Sequence, residues 1–333
     1  MSETPKVLLN VLYLVNKETF ITKMSRVRFH AMNALSKITN MTWWGLNWEN
    51  YDNALTVKEN IEKNYPDIYF DMVISYKPLE LKEFNNLQYP KCITYNEMYD
   101  FNQTVNEIEA SNVDLVICHH ENDMKTYMAY YSNYHGQKNK HVKFVHIPHS
   151  AEQTIFKDYG YEKNIDVLVC GRLNCKNTLG DSHYPLRDRV AKLIDKFPKK
   201  YNCQIHKHPK SQNADSYTDK YLIDFAQIIN RSKICVSCCG LPKTRFGKCV
   251  EIPMCNTLMC SDIPAQDQED FKKFTLEITL DMTDNEIINK IVNCLENKQL
   301  LESMTKYGYD WSQNYTQEKY AERFVKVIED FLG

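Results

Sequence analysis

The chain is 333 residues long, 43% hydrophobic and 25% charged, with a formal net charge of −2. That length admits two domains of ordinary size, and the composition is ordinary for a globular protein. The near-neutral balance gives no field that would draw the chain to nucleic acid or an anionic membrane, and no apolar run approaches the roughly 20 residues that span a bilayer.

The opening MSETPKVLLNVLYLV lacks a charged n-region leading to a small-residue cleavage site, so residues 6–15 read as a first buried strand and a cytoplasmic protein is expected. A helix follows within 17–40, after Arg26, Arg28 and His30. Trp43, Trp44 and Trp48 cluster next; packing suits them better than stacking on a sugar. Thr56–Asn64 reads as a helix. Short strands at 71–75, 91–95, 114–118 and 142–146 then alternate with helical segments at 105–110 and 123–132, which predicts a mainly parallel sheet covered on both faces. The strand at 114–118 ends in His119-His120-Glu121, at the carboxyl edge where open α/β sheets bind ligands.

Residues 150–164 read as a connection between domains. A second series begins with the strand 165–170, which runs into Gly171-Arg172. Pro185 suits the first turn of a helix through Val190 and Leu193, on which Arg187 reads as a surface residue. A strand at 201–205 leads to His206-Lys207-His208-Pro209, and 221–229 is helical. Residues 284–295, 300–309 and 317–331 close the chain as helices. The 12 cysteines sit mostly in apolar runs, as small buried hydrophobes do in a reducing compartment. Cys235 and Cys238 form a C-x-x-C, but on an extended strand they point to opposite faces, which disfavours zinc or redox use.

The stretch from Arg231 to Asp262 is the most informative. It reads as strand, loop, short helix, strand, with Gly240 and Pro242 opening the loop. Lys243, Thr244, Arg245 and Phe246 occupy that loop, and Gly247 leads into the helical turn. Lys248 and Glu251 are three apart and share one face of it. Pro253 keeps the helix short. A loop at the carboxyl end of a strand running into a helix start favours an anion, through its amides and the added charges of Arg245 and Lys248. A carboxylate one turn on can accept from vicinal sugar hydroxyls. The combination points to a nucleotide diphosphate.

Four local patterns then resemble the GT-B glycosyltransferases, most nearly their CgeB-like and retaining members: HIPHSAEQTIF at 146–156, DVLVCGR at 166–172, YPLRDRV at 184–190 and FGKCVEIPMCNTLMCSD at 246–262. The tail YTQEKYAERFVKVI at 315–328 adds to them. The resemblance is clear in the second half and holds in outline in the first. It implies an α/β protein of two Rossmann-like domains facing each other across a cleft. The acceptor-side domain would be 1–150, the nucleotide-sugar domain 151–315, and a helix at 316–333 would cross back to the first domain.

The implied activity is metal-independent transfer of a sugar from a nucleotide-diphosphate sugar to a glycan or small hydroxyl acceptor. No cofactor, nucleic-acid partner or membrane span is expected. A non-catalytic nucleotide- or glycan-binding protein and a nucleotide-sugar epimerase are the alternatives. Gly171, Arg172, His206, His208, Lys243, Thr244, Arg245, Phe246, Lys248 and Glu251 would line the donor site. Arg172 and Lys248 would hold diphosphate and Glu251 the ribose. His119, His120 and Glu121 are the candidates for accepting the acceptor's proton; hydrogen bonds from a strand end to a neighbouring loop are the other reading of the histidines. The sequence departs from the family pattern at Gln153, in place of an acid, at Lys243, in place of the first glutamate of E-x7-E, and at Asn256, in place of a glycine. Asparagine tolerates positive φ, so a helix cap at 256 can survive.

Overall fold

The computed structural model describes residues 8–18, 26–95, 98, 100–133, 141–176, 180–206 and 219–333. His208 lies outside them. The chain divides into two compact units, Met1–Pro148 with Glu318–Gly333, and His149–Gln317.

The first unit runs β1 (Asn10–Leu14), α1 (Arg26–Ser36), β2 (Asn40–Trp44), α2 (Val57–Asn64), β3 (Met72–Ser75), β4 (Lys91–Tyr95), α3 (Phe101–Ser111), β5 (Leu115–Cys118), α4 (Glu121–Asn133) and β6 (Lys143–His146). The strands form one parallel sheet in the order β2-β1-β3-β4-β5-β6. Both faces are covered. Along β1, Val11 and Tyr13 join one hydrophobic cluster while Leu12 joins the other, as the two-residue period of a strand requires. The tryptophans pack within this unit: Trp44 meets Tyr51 and Tyr65 edge-on, Trp43 meets Tyr13, and Trp48 Nε1 donates to the Val15 carbonyl at 3.1 Å. The start of α2 is fixed by Thr56 and Glu59, whose side chains each accept from the other's backbone N–H, a reciprocal cap legible as T-x-x-E.

The second unit runs β7 (Ile165–Val169), α5 (Pro185–Leu193), β8 (Cys203–Ile205), α6 (Asp219–Asn230), β9 (Ser232–Val236), α7 (Lys248–Met254), β10 (Leu258–Ser261), α8 (Gln268–Phe274), β11 (Thr275–Glu277), α9 (Asp284–Glu296) and α10 (Lys298–Ser312). Its parallel sheet has the order β11-β10-β9-β7-β8. Cys235 and Cys238 fall into the clusters on opposite faces, as the alternation predicts. Helix α7 is one short stretch with Pro253 inside it, and Asn256 just beyond takes φ +51°, the left-handed turn that the missing glycine would have made. Gly308 lets α10 come close to α7: a Cβ there would stand 3.2 Å from the Pro253 Cβ and 3.1 Å from the Phe274 ring.

The last helix, α11 (Gln317–Leu332), belongs to the first unit. Tyr320, Ala321, Phe324, Val325 and Ile328 are buried in the same cluster as Val11, Tyr13, Met72 and Ile117. The 320-324-328 spacing lines up one apolar stripe. Replacing a fully buried phenylalanine by alanine costs about 3–5 kcal/mol. Phe324→Ala is therefore expected to weaken protection of β1, β3 and β5 in hydrogen exchange by that amount, with β7 and β9 unaffected. Uniform loss in both units, or none, would contradict the placement of α11.

Candidate functional site

In the second unit the chain passes from β7 to β8 on one side and then to β9 on the other. At such a reversal the connections leave a crevice outside the carboxyl ends of the two central strands, here β7 and β9. Cys170-Gly171-Arg172 follow β7 there and Ser237 follows β9. Gly171 has φ +103°, and a Cβ on it would stand 2.5 Å from Arg187 Nη1. Only glycine supplies both the conformation and the space.

Arg187 is the residue that fills that space. It is 3% exposed, which overturns its reading as a helix-surface residue. Pro185 opens α5, and long helical side chains lean toward the helix start, so a residue in the first turn reaches back over the strand ends. Nη1 donates to the Arg172 carbonyl at 3.1 Å, Nη2 donates to Ser237 Oγ at 3.4 Å, and the guanidinium lies 4.3 Å from the Tyr184 ring centre. Nε has no hydrogen-bond partner, and no carboxylate among the described residues pairs with this guanidinium. A buried cation without a counter-ion is costly unless something anionic completes it.

Lys248 and Glu251 join the same place. Lys248 Nζ pairs with Glu251 Oε2 at 2.6 Å and sits 4.4 Å from the Phe225 ring centre. Burial pushes the Lys248 amine down, but Glu251 and Cys170 outweigh burial and hold it above its ordinary value. The Cys170 thiol feels both cations. A hydrogen bond from Cys235 at 3.3 Å lowers it, against burial, and the Lys248 and Arg187 charges lower it further. Phe225 carries the wall onward: Tyr221 stacks parallel to it, and the His206 ring centre is 5.1 Å away. Burial raises the Tyr221 hydroxyl to about 12. Phe246 packs edge-on against Tyr184, the ring beneath Arg187. Gly171, Arg187, His206, Phe246, Lys248 and Glu251 are thus linked by a run of contacts around these strand ends, with Arg187 the member that sequence reasoning passed over. The signal for it was present in YPLRDRV, where proline fixes the helix start two residues before the arginine.

Other expected members go elsewhere. The Arg172 side chain is exposed, and its contribution to the crevice is its carbonyl. Lys243 takes φ +52° and is bound to Asp262 at 2.7 Å; Asp262 also accepts from the Cys239 amide at 2.8 Å, tying the loops after β9 and β10 together. Arg245 is 4% exposed, pairs with Asp267 at 2.8 Å and lies 3.9 Å from the Tyr315 ring centre and 4.8 Å from that of Trp311. Its charge therefore anchors the loop to the helices at the end of the unit and is not presented beside Lys248. Thr244 is buried, its amide bonded to the Cys239 carbonyl at 2.9 Å. The start of α7 also offers fewer donors than its sequence implies, because the amides of Cys249 and Val250 already bond to Phe246 and Gly247 carbonyls, each at 2.9 Å. The charge of the site comes from side chains.

In the first unit, His119, His120 and Glu121 stand at the carboxyl end of β5. His119 Nδ1 bonds to the Ile147 carbonyl at 2.9 Å, so that nitrogen carries the proton, and the ring packs on Tyr320. Burial drives the imidazole down to about 3, against that bond and with the His120 and Arg28 charges acting in the same direction. A base so weak is poorly matched to proton transfer near neutrality. His120 is 2% exposed and bonds to Asp123 at 3.1 Å. His119 thus takes the strand-end role, bonded to a neighbouring loop, and its weak basicity does not suit it to accept the acceptor's proton, while His120 is bonded to the following helix. Glu121 is partly exposed and pairs with Lys125 at 2.9 Å. Among the described residues, no three His, Cys, Asp or Glu side chains converge as a metal site.

No family model matches the chain, and no curated protein does. Solved structures do. The chain is similar to a glycosyltransferase from Rickettsia africae, at 12% identity and TM-score 0.58 over 98% of this chain and 99% of that one. It is similar to HepE from Anabaena, solved with UDP-glucose, at 10% identity and TM-score 0.61 over 97% of this chain and 100% of that one. A putative UDP-N-acetylglucosamine 2-epimerase from Listeria monocytogenes aligns at 11% identity and TM-score 0.52, over 97% and 96%. At these identities the likeness establishes the fold, the two-domain α/β architecture of the GT-B class.

The state of His119 sets an acid dependence. Its folded value is about 3 against an ordinary 6.5, so below pH 6.5 the unfolded chain takes up a proton that the folded chain refuses. The associated stability is fully present above pH 6.5 and is lost as pH falls toward 3, by on the order of a few kcal/mol. Urea unfolding at pH 7, 5.5 and 4.5 is expected to fall less steeply for His119→Phe than for the parent. Parallel curves would show that burial does not hold His119 neutral.

Proposed function

We propose that this chain is a glycosyltransferase whose second unit binds a nucleotide-diphosphate sugar in the crevice outside β7 and β9, and whose first unit serves a hydroxyl acceptor. The observation that carries the reading is the buried Arg187 guanidinium, which pairs with no carboxylate among the described residues and is backed by a glycine that leaves it room. A diphosphate supplies the missing negative charge in the geometry a guanidinium fork favours. Lys248, near the same Cys170, neutralises the second phosphate as the bond to the sugar breaks. Positive charge fixed in a dry crevice stabilises the departing diphosphate without reorganising. Glu251, held by Lys248 through one oxygen, accepts from the ribose hydroxyls through the carboxylate. The wall of Phe225, Tyr221 and His206 offers aromatic surface for the base. HepE was solved with UDP-glucose, which makes it the first donor to try. With two side-chain cations in this role, turnover is expected to persist in EDTA; if magnesium or manganese were required to restore it, the metal-free reading would fall.

Calorimetry with UDP and with uridine tests the assignment. Arg187→Met is expected to weaken UDP at least tenfold, leave uridine unchanged and not lower Tm, because it removes an uncompensated buried charge. Glu251→Ala loses a charged hydrogen bond worth roughly 1.5–3 kcal/mol, so UDP and uridine should both weaken about ten- to a hundredfold. If Arg187→Met bound UDP as tightly as the parent, the donor assignment would be withdrawn. The likeness to the Listeria protein favours one other reading, an epimerase, which is told apart by conversion of UDP-N-acetylglucosamine to its epimer with no acceptor present. Tight UDP binding with no turnover of any sugar would instead mark a binding protein on the same scaffold.

A further inference from the structure

The sheet of the second unit has a second feature, at its other edge. Because all its strands are parallel, Lys163 just before β7, Lys233 at the start of β9 and Asn256 just before β10 lie together at the amino edge, opposite Gly171 and Ser237. They open onto a groove of about 770 Å³ closed by the end of α9 and one side of α10, a size that suits a small molecule. Leu295, Leu301 and Tyr309 line it with apolar surface.

The cations of the groove are not equivalent. Lys233 is bound to Asp166 at 2.7 Å, Lys306 to Asp310 at 2.6 Å, and Lys298 lies 3.6 Å from Glu302. Among the described residues, no carboxylate pairs with Lys163. Its Nζ donates to two uncharged acceptors, the Asn256 carbonyl at 2.6 Å and Thr257 Oγ1 at 3.0 Å, and an ammonium has a third donor. Burial pulls this amine down to about 8, with Asp158 opposing, so the groove holds a lysine that an added anion would stabilise.

We propose that this groove is a second binding site, separate from the crevice at the carboxyl edge, for a small molecule that joins an anionic head to an apolar body. The head bonds to Lys163 and the body lies along Leu295, Leu301 and Tyr309. The site does not depend on what the crevice binds. Octanoate, octanol and octylammonium titrated calorimetrically into the full chain test it, with UDP titrated alongside. Octanoate is expected to saturate a single site at least tenfold more tightly than the alcohol or the amine. Lys163→Met is expected to weaken octanoate at least tenfold, and Thr305→Trp, which fills the groove from α10 and leaves Lys163 in place, to abolish it. Both variants should bind UDP as the parent does. If Lys163→Met fails to fold, Thr305→Trp decides alone. Octanol binding as tightly as octanoate, octanoate that fails to saturate, or a folded variant that keeps the parent's octanoate affinity would overturn the proposal. Failure of UDP to bind the parent would count against the donor reading and leave this one standing.

Discussion

A guanidinium removed from water with no carboxylate beside it is among the less favourable things a protein interior can contain, and much of the second unit's local structure serves to hold Arg187 in that state. Pro185 starts the helix where the side chain can lean over the strand ends. Gly171 gives way to it, the Arg172 carbonyl accepts a hydrogen bond from it, and the Tyr184 ring supports its face. None of these contacts cancels its charge. The arrangement makes sense as half of an interaction whose other half arrives with a ligand, and it explains why the cations nearby are handled so differently. Lys248 is bridged to Glu251, whereas Lys243 and Arg245 are spent on Asp262 and Asp267. A loop rich in basic residues is thereby divided between loop architecture and the crevice.

The architecture was largely legible in the residues. Apolar runs of strand length, separated by helical segments, give the parallel sheets, and the T-x-x-E start of α2, the proline at α5 and the asparagine beyond α7 each settle a local geometry through one side chain. What was less legible follows from length. Helix α8 and strand β11 are seven and three residues long, too short for periodicity to separate them from a loop. The site divides along a similar line. The Lys248–Glu251 pair depends on three-residue spacing in one helical turn, a local fact. The destinations of Arg187, Arg245 and Lys243 depend on residues 19 to 70 positions away that no spacing rule reaches: Ser237 for the first, Asp267 and Tyr315 for the second, Asp262 for the third. The histidines after β5 show the same limit. Their place at the carboxyl edge is a property of the strand, but the Ile147 carbonyl that fixes the His119 tautomer and the Tyr320 ring packed on it come from elsewhere in the unit.

The return of α11 to the first unit has a consequence for how the protein is made. Tyr320, Phe324 and Ile328 share with Ala31, Met32 and Leu35 of α1 the face of the sheet that also carries Tyr13 and Ile117, so part of that face remains open until the ribosome has passed through all of the second unit. The half translated first is then the half whose core is completed last, after its neighbour has had time to fold. During that interval a broad apolar face waits for its covering helix, and the nascent first unit is the part of the molecule with most to gain from a chaperone.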